Sequence, residues 1–452
     1  MTKIFIYGID GAPPELIFDR WKADLPNISA LIENGIHARM ESTIPPATNI
    51  AWNSMLSGQD ASKIGVFAYT YKDNDGNTRL VSSNNIKTEL IWDILGDKKR
   101  TISLFVPLSF PVRPINGMMV SGFLTPDIDS DCAYPKELKE KIKKLGSTDN
   151  FFDVTQGLAG HKSLDIDTLL KRTYEMSDMQ TTLMKDLITS EDWDLFITVL
   201  IGTDRLQHML WQHFDQTHRR FIKDSKHKDA LKDYYIYLDK KLGEILNLLD
   251  DDTIIIVASD HGMARQEGKI NINNWLMQEG YLKLNKDIKE KTRFKFELID
   301  KSSRAWATGA YHARIFVNKD LEDWQITLEE IENKLKLIPD DKGEQLNTKV
   351  FRKEDIYDDP DAEGCPDLTV YFDDLSWASN PDLGQEGLYS WETAVGADSA
   401  GHSRQGCFII AGPGIKKGKL GVIDIRQIAP TLLRLLDQEI PKTIKHKPIE
   451  VT

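Results

Sequence analysis

The sequence predicts an α/β protein whose largely parallel central sheet is covered by helices on both faces. Two observations predict it. Short, wholly apolar runs of strand length alternate with longer segments of helical period. Polar residues then collect just beyond those runs, at the C-terminal ends of the expected strands. In open α/β sheets that edge is where ligands bind.

The elements read in order as follows. KIFIYGID (3–10) is a β-rich strand ending at Asp10-Gly11. PNISALIENG (26–35) is a helix closed by Gly35. In IPPATNIAWNSMLSG (44–58) two prolines stiffen a polar loop, and a helix begins near Asn49, just after Thr48. Asp73, Asn74, Asp75, Gly76 and Asn77 form a polar turn. ELIWDILGDKKR is a helix ending near Gly96, and TISLFVPLSF is a buried strand. Residues 165–190 are helical, and WDLFITVLIG (193–202) is a strand. Residues 228–250 form an amphipathic helix with Leu231, Tyr234, Leu238, Leu242, Ile245 and Leu249 near helical spacing. DDTIIIVASDHG (251–262) is a buried strand ending in Asp260-His261-Gly262. Further strands fall at 313–317, 368–372 and 407–411, and a last helix near 424–437. Residues 283–305 are locally basic, and 354–366 and 376–400 are rich in Asp, Gly, Pro and Ser. The stretch 271–400 therefore reads as an insertion into a core made of 1–270 and 401–452.

Composition narrows the function. The chain has 452 residues, 40% hydrophobic and 28% charged, as in an ordinary globular protein. A net charge of −13 argues against binding a nucleic-acid polymer by general electrostatics. Cys132, Cys365 and Cys407 are widely separated and include no CxxC pair, which argues against a cysteine-based zinc knot and a disulfide framework. The apolar run at the N-terminus is too short for a signal-peptide core. No run approaches the ~18 apolar residues of a membrane span. The expected location is the cytoplasm.

Metal-type residues stand at the strand ends. Asp10 closes the first strand, Asp260 and His261 close another, and His402 lies just before a third. Asp204 and His208, spaced i, i+4, share one face of any helix starting at 202, so a carboxylate and an imidazole can grip one cation. Each feature alone has a plain structural reading: a salt-bridged helix face, a turn, a solvated loop. Thr48 likewise reads as an N-cap or as a nucleophile at a helix end that favours developing negative charge. Aspartates and histidines together suit Zn²⁺, with Mn²⁺ or Fe accommodated, and are too nitrogen-rich for Ca²⁺.

FIYGIDG, PPATNIAWNSMLSG, GTDRLQH, VASDHGM and SAGHSRQGCFIIAGPGI, taken in this order, resemble the alkaline phosphatase superfamily. Within it the sequence is most similar to the type I phosphodiesterase / nucleotide pyrophosphatase family. The resemblance runs over nearly the whole chain and implies an alkaline-phosphatase-like sandwich with a smaller inserted cap. It implies two adjacent divalent cations. One would be held by Asp204, His208 and His402, the other by Asp10, Asp260 and His261 with the Thr48 oxygen. Thr48 would be the nucleophile, and the reaction hydrolysis of a small phosphoric ester, a diester or pyrophosphate first, through a phospho- or nucleotidyl-threonine. A non-catalytic scaffold holding the cations is the remaining alternative, and it would not need the threonine. Relatives commonly place an asparagine where this chain has Tyr69, which leaves diester against monoester preference open. Tyr69 and the backbone N–H of Asn49 are candidate phosphate donors. Trp52 reads as core or pocket wall. Trp306, Tyr311 and Arg314 lie in the insertion, and Arg205 and Arg404 flank metal positions. A sulfatase would need a Cys or Ser convertible to formylglycine, and TNIAW has neither. A phosphomutase would place a large domain between Thr48 and Asp204, and too few residues separate them.

Overall fold

The computed structural model describes residues 2–72, 78–155, 160–288, 290–393 and 396–452. The polar turn expected over 73–77 lies outside the described residues. The chain divides into two compact units, one of Met1–Leu210, Asp224–Met263 and Arg404–Thr452, the other of Trp211–Lys223 and Ala264–Ser403. The second unit thus takes in 211–223, 264–270 and 401–403 beside the stretch set apart by composition.

The first unit is built on a ten-stranded sheet. Its long strands are β1 (Lys3–Ile9), β2 (Ile36–Glu41), β3 (Thr101–Val106), β4 (Gly117–Ser121), β5 (Leu195–Leu200), β6 (Thr253–Ala258) and β7 (Gln405–Ala411). They lie in the order β2-β7-β6-β1-β5-β3-β4, with two-residue strands at the margins. From β6 to β4 every neighbour is parallel. β7 runs antiparallel to both β2 and β6. Every residue of β3, β5 and β6 is buried, so both faces of the sheet are covered. On one face Ile4 and Ile6 share a core with α2 (Thr48–Ser57), α3 (Ile91–Leu95) and α7 (Ile428–Leu435). The alternate residues of β1 face the other way. There the Tyr7 hydroxyl donates to the Leu238 carbonyl of α6 (Ala230–Leu246). α1 (Pro26–Asn34) is tied to α6 where the Asp239 carboxylate accepts from the N–H groups of Asn27 and Ile28. α4 (Ile166–Ser190) and α5 (Gly202–Phe214) flank β5 in sequence.

The second unit has its own core. An antiparallel sheet runs Ala305–Thr308, Ala313–Val317, Leu368–Tyr371, Lys349–Arg352. Ala305, Ala307, Ala313, Ile315 and Val317 share a core with residues of the helices Ile272–Gln278 and Trp324–Leu335. No described helix is long and apolar enough to cross a membrane.

Candidate metal centre

Three adjacent parallel strands of the first unit deliver the site. The register sets Gly8 opposite Ala258 and Ile9 opposite Leu200. Asp10, Asp260-His261 and the start of α5 therefore emerge side by side at the C-terminal edge. Hydrogen bonds to the main chain pin that edge. The Asp10 N–H donates to the Leu200 carbonyl at 3.0 Å, and the Thr203 hydroxyl donates to the Asp10 carbonyl at 2.5 Å. Ser259 Oγ accepts from the Ala12 N–H at 2.7 Å and donates to the His261 carbonyl at 2.7 Å. The edge is preorganised by bonds between the main chain and the Thr203 and Ser259 hydroxyls, with the functional side chains left to point beyond it.

Asp10, Asp260 and His261 are wholly buried, and their ligand atoms lie within 4.8 Å of one another. His261 Nε2 is 3.4 Å from Asp260 Oδ2 and 3.7 Å from Asp10 Oδ1. Its Nδ1 lies 3.0 Å from the Gly262 carbonyl, a donor bond that leaves the Nε2 lone pair on the carboxylate side. Asp260 Oδ1 accepts from the Gly11 N–H, while Oδ2 accepts no hydrogen bond among the described residues. Asp10 Oδ2 accepts from Trp52 Nε1 at 2.8 Å. Burial first, and the Asp204 charge second, push the Asp10 carboxyl well above the usual carboxylate range. Burial and the Asp10 charge do the same to Asp260. Buried carboxylates that repel one another need a positive charge between them to stay ionised. An imidazole nitrogen and two carboxylates, one of them with an oxygen that accepts no hydrogen bond among the described residues, fit a divalent cation of the zinc type.

Thr48 opens α2, and the N-cap reading fails. Ala47 occupies the N-cap, and no side-chain capping bond is made. The Thr48 hydroxyl turns instead to the cluster, 3.1 Å from His261 Nε2 and 3.5 Å from Asp10 Oδ1. All ten residues of α2 are buried. Its first N–H groups, that of Asn49 among them, have no intrahelical acceptor and face negative charge favourably. The Asn49 amide holds the Ala68 carbonyl at 3.0 Å and so brings the next residue, Tyr69, to Thr48. The Tyr69 phenol lies beside the Thr48 side chain. Burial raises its pKa far above the ordinary value, so it stays a donor.

Asp204 and His208 share a face of α5, as the spacing predicts, with Asp204 Oδ1 3.3 Å from His208 Nε2. Arg205 donates to Asp204 at 2.9 Å and grips both oxygens of Asp153 at 3.0 and 2.8 Å. Burial opposes the Arg205 charge, but the two carboxylates outweigh it and raise its pKa. Arg205 is thus committed to a structural ion-pair network, and Arg404 is paired with Glu41. Trp52 is core and also a donor to Asp10. His402 belongs to the second unit, where its ring stacks on Tyr311 at 4.6 Å. There Trp306 stacks on Phe316. Sequence reading passed over His161, a buried imidazole whose ring lies 5.6 Å from that of His208. Its one signal was a repeated tripeptide: Ala-Gly-His occurs at 159–161 and again at 400–402.

The type I phosphodiesterase / nucleotide pyrophosphatase family matches residues 5–398. The chain belongs to that family. It is therefore a phosphoric ester hydrolase of the alkaline phosphatase superfamily, in a family of metalloenzymes. No curated protein sequence matches the enzyme. Among solved structures it is similar to human ectonucleotide pyrophosphatase/phosphodiesterase 5, with a TM-score of 0.57 and 14% identity over 97% of this chain and 96% of that one. The murine counterpart, as an inactive threonine-to-alanine variant in complex with AMP, matches with a TM-score of 0.57 at 13% identity, covering 98% and 96%. Phosphonoacetate hydrolase from Sinorhizobium meliloti, in complex with phosphonoformate, matches with a TM-score of 0.58 at 12% identity, covering 96% and 95%. At such identities these likenesses establish the alkaline-phosphatase-like fold.

Proposed function

We propose that this enzyme hydrolyses a small phosphoric diester or pyrophosphate, with Thr48 as nucleophile and two divalent cations, zinc first. The observation that carries the reading is the Thr48 hydroxyl. It sits 3.1 Å from His261 Nε2 at a buried helix N-terminus, among groups suited to a cation, and caps nothing. Asp10, Asp260 and His261 hold one cation with the Thr48 oxygen. Asp204 and His208 hold the other, and His402 joins that pair on the strength of the SAGHSRQG motif alone. When bound, the cations lower the pKa of the threonine hydroxyl and offset the buried carboxylates.

The chain's own residues do the rest. Thr48 Oγ bonds to phosphorus as the bond to the leaving oxygen breaks. Water then cleaves the phospho- or nucleotidyl-threonine and restores the hydroxyl. The Asn49 N–H and the Tyr69 phenol hold phosphoryl oxygens as charge develops on them. Nucleotide esters stand first among substrates, supported by the family and by AMP on the murine relative. The free cysteines support a reducing compartment such as the cytoplasm. A phosphomonoesterase on the same residues is the second reading, favoured by Tyr69 standing where relatives have an amide.

Two measurements test this. Thr48→Ala should abolish turnover and leave folding and most metal binding in place; undiminished turnover removes the nucleophile. Rates on bis(p-nitrophenyl) phosphate and p-nitrophenyl phosphate should favour the diester, and a strong preference for the monoester selects the second reading.

A further inference from the structure

His161 lies in a short 3₁₀ turn, Gly160–Ser163, and is only 3% exposed. Its ring faces that of His208 at a 5.6 Å centroid separation and a 33° tilt. Its Nε2 is buried and has no hydrogen-bond partner among the described residues. The neighbouring polar groups are already committed. His208 faces Asp204, and Arg205 is held by both Asp153 and Asp204. Arg205 also lies over the Phe123 ring, and Phe123 meets Tyr69 edge-on. A continuous wall therefore runs from Thr48 through Tyr69, Phe123 and Arg205 to His208 and His161. A buried, unpartnered ring nitrogen is destabilising unless something meets it. A residue kept only for packing would be better served by an apolar ring.

From this we infer that His161 is a substrate-binding residue of the same site, its Nε2–H donating a hydrogen bond to an oxygen of the bound phosphoric ester. The inference rests on the reading of Thr48 as nucleophile, which fixes where the ester sits. In an in-line displacement the leaving oxygen departs on the side away from Thr48. Asp204 adjoins the Asp10–Asp260–His261 cluster that holds Thr48, with a carboxylate oxygen within 4.8 Å of a His261 ring nitrogen, and His208, with His161 beside it, lies one helical turn further on. His161 is neither a cation ligand nor an acid in this scheme. It orients the ester and no bond to it forms or breaks.

The test compares wild type, His161→Phe and His161→Gln on bis(p-nitrophenyl) phosphate, with bound metal counted by mass spectrometry and folding followed by thermal melting. Phe keeps the stacked ring and loses the donor; Gln restores an N–H near the place of Nε2. The expected result is a fall in kcat/KM of roughly tenfold or more for His161→Phe, partial recovery in His161→Gln, and unchanged metal content in both. Wild-type kcat/KM in His161→Phe overturns the inference, because stacking alone then suffices. A loss of metal that matches the loss of activity also overturns it, because His161 then serves the cations. Should His161→Phe fail to fold, His161→Gln decides alone: it must keep more than a tenth of wild-type kcat/KM with full metal. Thr48→Ala is run in parallel. Retained turnover there rejects the parent reading, whereas lost turnover there with an unaffected His161→Phe rejects only the role of His161.

Discussion

Trp52 shows how much of the chemistry depends on one donor. Its indole is sealed in the core, and its N–H supplies the bond to Asp10 Oδ2. Trp52→Phe keeps most of the packing and strips that oxygen of its donor. We expect a loss of about 1–3 kcal/mol in stability, read as a lower melting temperature, and weaker metal retention on dialysis. Tyr69→Phe is the complementary case. It keeps the ring against Phe123 and removes a donor next to Thr48. It should lower kcat/KM by about ten- to a hundredfold while the melting temperature holds; an unchanged rate would make Tyr69 purely structural. At this scale the sequence was informative where polar residues interrupt apolar strands. Asp10, Thr48, Asp204, His208, Asp260 and His261 were all legible, and the first unit gathers them at one sheet edge. Trp52 was legible as core but not as a donor, because its partner lies 42 positions away. His161 was missed because no strand end or helical spacing marks it out.

Among the elements, the contact between β1 and α2 sets how near Thr48 comes to Asp10. Gly8 makes it close. A Cβ built there would meet the Trp52 ring at 2.6 Å and the Thr198 carbonyl of β5 at 2.7 Å. The carbonyl is backbone and cannot swing aside, so the strain falls on the indole and its bond to Asp10. Gly8→Ala should destabilise by about 1–3 kcal/mol, as overpacking does, and lower turnover as well, although residue 8 touches no substrate. Urea unfolding and a rate assay on the same preparation check both; loss of stability with full activity would uncouple the strand–helix contact from the site. The sequence made the wholly apolar strands plain, since a strand buried on both faces has no polar interruptions. β2, IHARME, went unread because it alternates buried and half-buried residues and carries charge within a short run. The antiparallel course of β7 was also hidden. Its residues look like any buried strand, and nothing in their local composition sets its direction.

For the molecule as a whole, the buried aspartates couple folding to metal and to pH. In chelated protein, Asp10 and Asp260 titrate above their ordinary value of 3.8, raised chiefly by burial. The native state then holds protons that the unfolded chain has released. Their contribution to stability is complete below the ordinary aspartate pKa and is lost as pH rises through the window up to the raised values. Bound cations reverse the sign. The carboxylates are then ionised in the native state, and acid destabilises by putting protons where the cations sit. We therefore expect the melting temperature of the chelator-treated protein to fall as pH rises above the ordinary aspartate value, and that of the zinc-loaded protein to hold or rise, so that the gap between them widens with pH. Calorimetry on paired samples across that range measures it. A gap that stays constant or narrows would mean that these carboxylates are balanced within the protein itself, by their hydrogen bonds and by Arg205, and that no cation is needed to hold them together.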